Sequence, residues 1–290
     1  MKRLQKLKKR IKKPKKLKEA LKEKLTKKEQ QVMFRAYDVV GNIAIIDVPK
    51  ELVKKEKLIA EKIIEMNKNI ETVVKKVGVR AGIYRRQKLK IVAGKRTKVA
   101  TYKENNIVLR FDVEKIYFSP RLATERKRIT ELVKPGENIL VMFSGCGVYP
   151  IVMSRNSRAN LIYCVEKNPV AHKFAIENVR MNKVNNVFLI LGDVKKVVPN
   201  LYIKFDRILM PLPKGASKYL DLAFCVSKRG TIIHFYDFLT ENDFADAKKK
   251  LIEVCKKNNA DCRIIRLVKC GRYGPGIYRV CIDFKVTNIL

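Results

Sequence analysis

From residue 138 to the C-terminus, short apolar runs alternate with helical patterns. No other feature limits the fold so tightly, because strands joined through helices pair in parallel and a parallel sheet must be covered on both faces. The runs at 139–143, 161–165, 187–191 and 207–210 carry the Val, Ile and Leu that such strands need. Helices are predicted at 148–155 and 169–182, and two more strands at 263–269 and 278–286. No internal repeat is evident. The expectation is an α/β domain with a Rossmann-like, doubly wound sheet, whose ligands sit beyond the C-terminal ends of its strands.

The residues following those strand ends form an ordered set. Ser144-Gly145-Cys146-Gly147 follows the first strand, and Gly145 and Gly147 make a loop tight enough for backbone to approach a ligand. Glu166 ends the second, about 20 positions later, where a carboxylate accepts hydrogen bonds from ribose hydroxyls. Asp193 leaves the third, placed to accept from an adenine amino group, and Pro211-Leu212-Pro213 closes the fourth. Taken alone, the two glycines are equally a device for close helix–strand packing. The whole set is the arrangement of S-adenosylmethionine-dependent methyltransferases, whereas a dinucleotide enzyme more often carries a third glycine.

Charge dominates the front of the chain. The formal net charge is +37, where solubility alone asks for about 2 to 8 on a small domain. A field of that size recruits polyanions, the main candidates being nucleic acid and anionic membrane. Residues 2–28 hold 15 Lys or Arg against Glu19 and Glu23. Leu4, Leu7 and Ile11, then Leu17, Leu21 and Leu25, recur at helical spacing on either side of Pro14. Residues 1–30 are therefore expected to be a lysine-rich extension whose amphipathic helices form on RNA phosphate, a disordered solubilising tail being the bland alternative. Residues 31–110 read as a small α+β RNA-binding domain: β-rich runs flank Gly41-Asn42, a helix spans 54–69, and short strands follow. Its turns carry Arg80, Arg85, Arg86, Lys88 and Arg96, with Tyr84 or Tyr102 available to stack on a base. Residues 111–290 form the nucleotide-fold domain. No apolar run approaches the roughly 20 residues of a membrane span, and the basic N-terminus lacks a signal-peptide core, so a cytoplasmic location without membrane partners is expected. The seven cysteines are scattered and never form Cys-x-x-Cys, and only His172 and His234 stand beside them, so no metal site is expected.

The two halves meet at residues 111–128. Residues 111–118 alternate as a half-buried strand does, Ser119-Pro120 stops it, and Ser119 or Thr124 is placed to cap the next helix. That helix opens with Glu125 among Arg126 and Arg128. A carboxylate among guanidinium groups is either an ion-pair network or a group set up for chemistry.

Four motifs carry a family resemblance: Tyr117-Phe-Ser-Pro-Arg-Leu-Ala-Thr-Glu-Arg126, Met142-Phe-Ser-Gly-Cys-Gly147, Pro211-Leu-Pro213 and Tyr273-Gly-Pro-Gly-Ile-Tyr278. From about residue 31 onward, Gly82-Ile-Tyr-Arg85 included, the chain resembles the archaeal and eukaryotic tRNA (guanine-N1)-methyltransferases, which modify the guanosine immediately 3′ of the anticodon. The resemblance implies a class I methyltransferase domain, S-adenosylmethionine as cofactor, tRNA as partner with tRNA-Phe among the substrates, and a monomer. It implies that Glu125 is the general base and that Arg85 faces the charge developing on the guanine oxygen. Tyr117, Phe143, Gly145, Gly147, Glu166, Lys167, Asp193 and Pro211 would line the cofactor pocket, while Arg121, Arg126 and Pro213 would touch a base drawn from its stack. Three features depart from the family pattern. Val141 stands where the first strand usually ends on an acid, Pro211-Leu212-Pro213 replaces the usual Asn-Leu-Pro, and the lysine-rich extension is expected in place of a compact N-terminal domain. The proline form resembles a bifunctional archaeal branch that also methylates C7 of a tricyclic intermediate of wyosine synthesis. Two other readings stay open. One is aminocarboxypropyl transfer from the same cofactor, against which Leu122-Ala123-Thr124 argues; the other is a non-catalytic binder of structured RNA.

Overall fold

The computed structural model describes residues 16–78, 82, 86–212 and 214–289. Arg85, Pro213, Tyr84, Arg80 and the apolar positions Leu4, Leu7 and Ile11 lie outside the described residues. Two compact units are present, one drawn from 1–81 and 87–100, the other from 82–86 and 101–290.

In the first unit β1 (Asp38–Val40), β2 (Ile43–Ile46), β3 (Thr72–Lys76) and β4 (Leu89–Gly94) form a sheet in that order. The β1–β2 hairpin turns on Gly41, whose φ of 56° suits a residue without a Cβ. Strands β2 and β3 run parallel, and α3 (Glu56–Met66) makes the crossover, burying Ile59, Ala60 and Ile63. Two short helices precede the sheet, α1 (Leu17–Ala20) and α2 (Lys27–Val32), the latter opened by a capping box between Thr26 and Glu29. Here the structure corrects the reading of residues 1–30 as a separate extension. Leu21 is 0% and Leu25 5% exposed, and both pack with Ala44, Ile46, Ile59 and Ile63. The helical leucine spacing is answered by this core, so from residue 16 the lysine-rich segment belongs to the unit.

The hairpin β5 (Val99–Glu104) and β6 (Ile107–Asp112) follows, and from Thr101 onward it belongs to the second unit. Its division from the first falls at Ala100, where the sequence pattern suggested Arg110. The physical reason is the edge of β6: Asn178 and Asn182 of α6 (Pro169–Met181, with its cap) accept from the N–H groups of Arg110 and Val108 and donate to their carbonyls. A strand over 111–118 does not form. Asp112 accepts from the N–H groups of Glu114 and Lys115 (2.8 and 3.2 Å) and turns the chain. Ser119 then precedes a 3₁₀ turn, Pro120–Leu122, that runs into α4 (Ala123–Glu131) without a side-chain cap from Ser119 or Thr124.

The main sheet follows as the alternating pattern requires, with β7 (Ile139–Met142), α5 (Val148–Asn156), β8 (Ile162–Glu166), α6, β9 (Val187–Leu191), α7 (Val194–Val197), β10 (Phe205–Met210), α8 (Leu220–Cys225), β11 (Ser227–Leu239), α9 (Phe244–Lys257), β12 (Ala260–Gly274) and β13 (Ile277–Ile289). Strand order is β12-β13-β11-β10-β7-β8-β9. The strands from β11 to β9 are parallel, and β13 inserts antiparallel between β11 and β12. Leu140, Met142, Val165, Ile208, Met210, Ile233 and Phe284 form the core, each worth roughly 1.5–3 kcal/mol of burial. The order reverses beside β7, so a crevice opens at the C-terminal ends of β7, β8, β9 and β10. Among the described residues no helix is long and apolar enough to cross a membrane.

Candidate active site

A cavity of about 270 Å³ occupies that crevice, lined by Ile116, Tyr117, Phe143, Gly145, Glu166, Lys167, Asn168, Ala171, Gly192, Asp193, Val194, Pro211, Leu212 and Tyr219. Every residue expected to hold the cofactor is on this wall except Gly147. At Gly147 the backbone has φ 85°, and a Cβ would lie 3.3 Å from Ile151 Cδ1 and 3.4 Å from Ala175 Cβ, so this glycine serves the packing of α5 on α6. Gly145 has φ 60° and open space where a Cβ would point. Phe143 also adopts a left-handed φ, 60°, which is costly for a side chain of this size and turns the strand exit sharply. Its ring meets Tyr219 edge-on with centroids 5.1 Å apart.

Glu166 is held from behind. Its Oε2 accepts from the Gly145 N–H and its Oε1 from the Asn168 N–H, both at 2.7 Å. Burial pushes its carboxyl up from the ordinary range, and those backbone donors act against the rise. Each oxygen keeps acceptor capacity. Asp193 caps α7, accepting from Lys195 N–H at 3.0 Å, and pairs with Lys167 at 2.7 Å. The Lys167 bond lowers its carboxyl below the ordinary range.

Glu125 is not on the cavity wall. It is 5% exposed, Arg128 Nε donates to its Oε2 and Nη2 to its Oε1 at 2.7 Å each, and the Tyr236 hydroxyl donates to Oε1 at 2.7 Å. Tyr149 donates in turn to Tyr236 at 3.1 Å. Burial pushes both phenols up, so they stay protonated donors. Arg128 also reaches Asp283, Nη1 to Oδ2 at 2.6 Å, so one guanidinium bridges two carboxylates. Asp283 further accepts from Arg266 Nε at 2.8 Å and from His234 at 2.6 Å. Arg207 Nη1 can only donate, so His234 Nε2 is the acceptor there and Nδ1–H faces Asp283. Burial lowers the pKa of His234, in keeping with that neutral form. His234, Cys281 and Asp283 bring metal-type ligand atoms within 4.8 Å of one another. Arg128, Arg207 and Arg266 are bonded to the same cluster, so it is built for guanidinium groups and not for a metal ion.

Two further expectations concern arginines. Arg126 does not fit RNA contact: it is 2% exposed, and its guanidinium is spent on Glu104 and the Ser119 carbonyl, over the Phe118 ring. The ion-pair alternative applies to it fully. Arg121 is exposed on the 3₁₀ turn. The sequence reading missed Asn168, which caps α6 through Val170 N–H, although Asn before Pro169 is a recognisable helix start. Tyr236 and Asp283 were missed too. They sit inside apolar strands, where a single polar residue gives no signal of its partner.

Known proteins share both the sequence and the fold that build this site. Residues 100–265 match the family model described as the TRM5/TYW2 methyltransferase domain, and residues 17–97 match that of the TYW2 N-terminal domain. The chain is 37% identical over 253 residues to tRNA (guanine(37)-N(1))-methyltransferase Trm5b of Pyrococcus abyssi, covering 87% of this chain and 75% of the relative. It is 31% identical over 303 residues to tRNA (guanine(37)-N(1))/4-demethylwyosine(37)-methyltransferase Taw22 of Nanoarchaeum equitans, covering 86% and 98%. A tRNA(Phe) (4-demethylwyosine(37)-C(7)) aminocarboxypropyltransferase of Methanocaldococcus jannaschii is 32% identical over 209 residues, covering 72% and 83%. Among solved structures, the complex of aTrm5 and tRNALeu superposes with a TM-score of 0.82 at 32% identity, over 95% of this chain and 79% of that one. Trm5 of M. jannaschii in complex with adenosine gives 0.77 at 30% identity, over 94% and 79%.

Proposed function

The chain belongs to the TRM5/TYW2 methyltransferase family, and from that premise we propose that it transfers a methyl group from S-adenosylmethionine to N1 of the guanosine 3′ of the anticodon in tRNA. The observation that carries this reading is the meeting of the strand exits Phe143, Glu166, Asp193 and Pro211 around one cavity. The residues suit the cofactor. Glu166 presents acceptors to ribose hydroxyls, Gly145 leaves room for a close approach, and Phe143, Val194 and Tyr219 offer apolar walls to a purine. When bound, S-adenosylmethionine supplies a methyl group already activated by its sulfonium sulfur.

Guanine N1 carries a proton that must leave as the methyl arrives. Glu125 is the proposed acceptor, a role worth about 10² to 10⁴ in rate for a positioned general base. To act, its carboxylate must exchange a donor for the incoming base. Arg128 can let go without becoming an unpaired charge because Asp283 already shares it. Arg85, outside the described residues, is proposed to face the oxygen that gains charge. The partner is tRNA, tRNA-Phe among the species used, and the chain acts as a cytoplasmic monomer; the net charge of +37 supports a polyanionic partner.

A second activity, methylation of C7 in the tricyclic wyosine intermediate, is favoured by Pro211. It forms part of the cavity wall and offers shape without an amide to hold guanine. Incubating tRNA-Phe transcripts carrying guanosine or the tricyclic base with methyl-labelled cofactor, then identifying the labelled nucleoside, tests both. 1-Methylguanosine is expected from the first. Label in neither would overturn the methyltransferase reading.

A further inference from the structure

A line of buried hydrogen bonds runs from the start of the main sheet to Glu125, and the imidazole of His234 is its midpoint. Arg207, 1% exposed, donates Nε and Nη2 to the two oxygens of Glu137 (2.7 and 3.0 Å) and Nη2 also to the Leu132 carbonyl at 2.6 Å, so its guanidinium is fixed. Its Nη1 donates to His234 Nε2 at 2.7 Å, which leaves Nδ1–H for Asp283 Oδ1 at 2.6 Å. His234 of β11 and Asp283 of β13 stand directly opposite in the antiparallel register, and Tyr236, which holds Glu125, follows His234 on the same face of its strand. The guanidinium groups of Arg128, Arg207 and Arg266 meet the carboxylates of Glu125, Glu137 and Asp283 along this line, so a neutral imidazole completes it without adding charge.

Arg128 is placed between two acceptors. Its Nη1 is bonded to Asp283 Oδ2 at 2.6 Å, while its Nη2 lies 2.7 Å from Glu125 Oε1 and 3.4 Å from Asp283 Oδ1. A small swing of the guanidinium carries Nη2 from the first oxygen to the second, and the Arg128–Asp283 pair then becomes bidentate, which adds geometric specificity as well as energy. That swing frees Oε1 of Glu125 for an incoming N–H. It needs Asp283 to keep its plane. Arg266, whose side chain is 41% exposed, draws on Oδ2 from the solvent side at 2.8 Å. The His234 Nδ1–H opposes it through Oδ1, where the Cys281 thiol at 3.1 Å adds only a weak donor.

We propose that His234 is a positioning residue for the proton-transfer step: by fixing Asp283, it provides the second acceptor to which Arg128 is handed when Glu125 engages the target base. This rests on the general-base reading of Glu125 above. His234 is 0% exposed and is not on the cavity wall, so it acts through Asp283 and Arg128 alone. No proton is exchanged at the imidazole, which keeps one tautomer throughout.

Two substitutions divide the bonds of the imidazole. His234→Asn carries an amide nitrogen where Nδ1 stands and keeps the donor to Asp283; His234→Gln carries an amide oxygen where Nε2 stands and keeps the acceptor for Arg207. Each loses one buried bond, so thermal unfolding should shift by similar amounts in the two. The test is the single-turnover rate of methyl transfer to tRNA at saturating S-adenosylmethionine, with both affinities measured beside it. His234→Asn should keep the rate within about threefold of native, and His234→Gln should lose roughly 10- to 100-fold, the range for a hydrogen bond to a charged group, with cofactor and tRNA affinities within about threefold in both. In a Glu125→Gln background the loss caused by His234→Gln should vanish, because the residue acts through that carboxylate. Equal rates in the two His234 variants, or a His234→Gln loss that persists in full without Glu125, would overturn the proposal. A native rate in Glu125→Gln alone would instead remove the general-base reading and this proposal with it, whereas a slow Glu125→Gln beside native rates in both His234 variants overturns this proposal only.

Discussion

Glu125 receives donors from Arg128 and Tyr236, and the two carry different consequences. Glu125→Gln keeps the volume but cannot take a proton, so the single-turnover methyl-transfer rate should fall by about 10² to 10⁴ with tRNA affinity within about threefold of native. Tyr236→Phe removes one donor but leaves the carboxylate and its Arg128 partner, so the same rate should fall by less than in Glu125→Gln, with tRNA affinity again near native. A native rate in Glu125→Gln would separate Glu125 from proton transfer and leave it an ion-pair residue. Asp283 is a different case. Burial would raise its carboxyl, but His234 and Arg128 outweigh burial and hold it well below the ordinary range. Its stabilisation is therefore complete above the unfolded value of about 3.9 and is lost as pH falls below it. Asp283→Asn should cost roughly 1–3 kcal/mol in urea unfolding at neutral pH, because the buried His234 and the half-buried Arg128 lose their shared carboxylate, and the difference should shrink in acid. Glu166 and Asp193 were legible in the sequence because they follow strand ends at a spacing fixed by the fold. Asp283 was not, since its partner Arg128 lies on a helix some 155 residues away in the chain.

At the level of elements the two glycines of the first loop divide the work. Gly147→Ala forces a Cβ into left-handed backbone and against Ile151 and Ala175, so thermal unfolding should show a loss of roughly 1–3 kcal/mol. Gly145→Ala meets open space, so its main effect should be weaker cofactor binding in a titration, with a smaller loss of stability. Equal thermal losses without an affinity difference would contradict that division. The strands β7 to β10 were readable because each is a continuous apolar run bounded by turn chemistry. The stretch 111–118 was misread. Its alternation mimics a strand, yet Asp112 closes a turn with its own side chain, a local bond that periodicity does not register. The antiparallel place of β13 between β11 and β12 also escaped, since pairing order depends on long-range contacts.

For the whole molecule, residues 1–15 carry nine Lys or Arg and no acid. Deleting them should flatten the salt dependence of tRNA binding, by about 0.7–0.9 in log–log slope for each phosphate no longer neutralised. Extending the deletion to residue 28 also removes Leu21 and Leu25 from the core of the first unit, and should destabilise it by several kcal/mol. The most direct test of the account uses S-adenosylmethionine labelled differently in its methyl group and its carboxyl carbon, in a single turnover with tRNA. Methyl label in the tRNA and all carboxyl label left in solution is the predicted result. Carboxyl label in the tRNA would mean aminocarboxypropyl transfer, label of neither kind would leave only an RNA-binding protein, and either result would contradict methyl transfer.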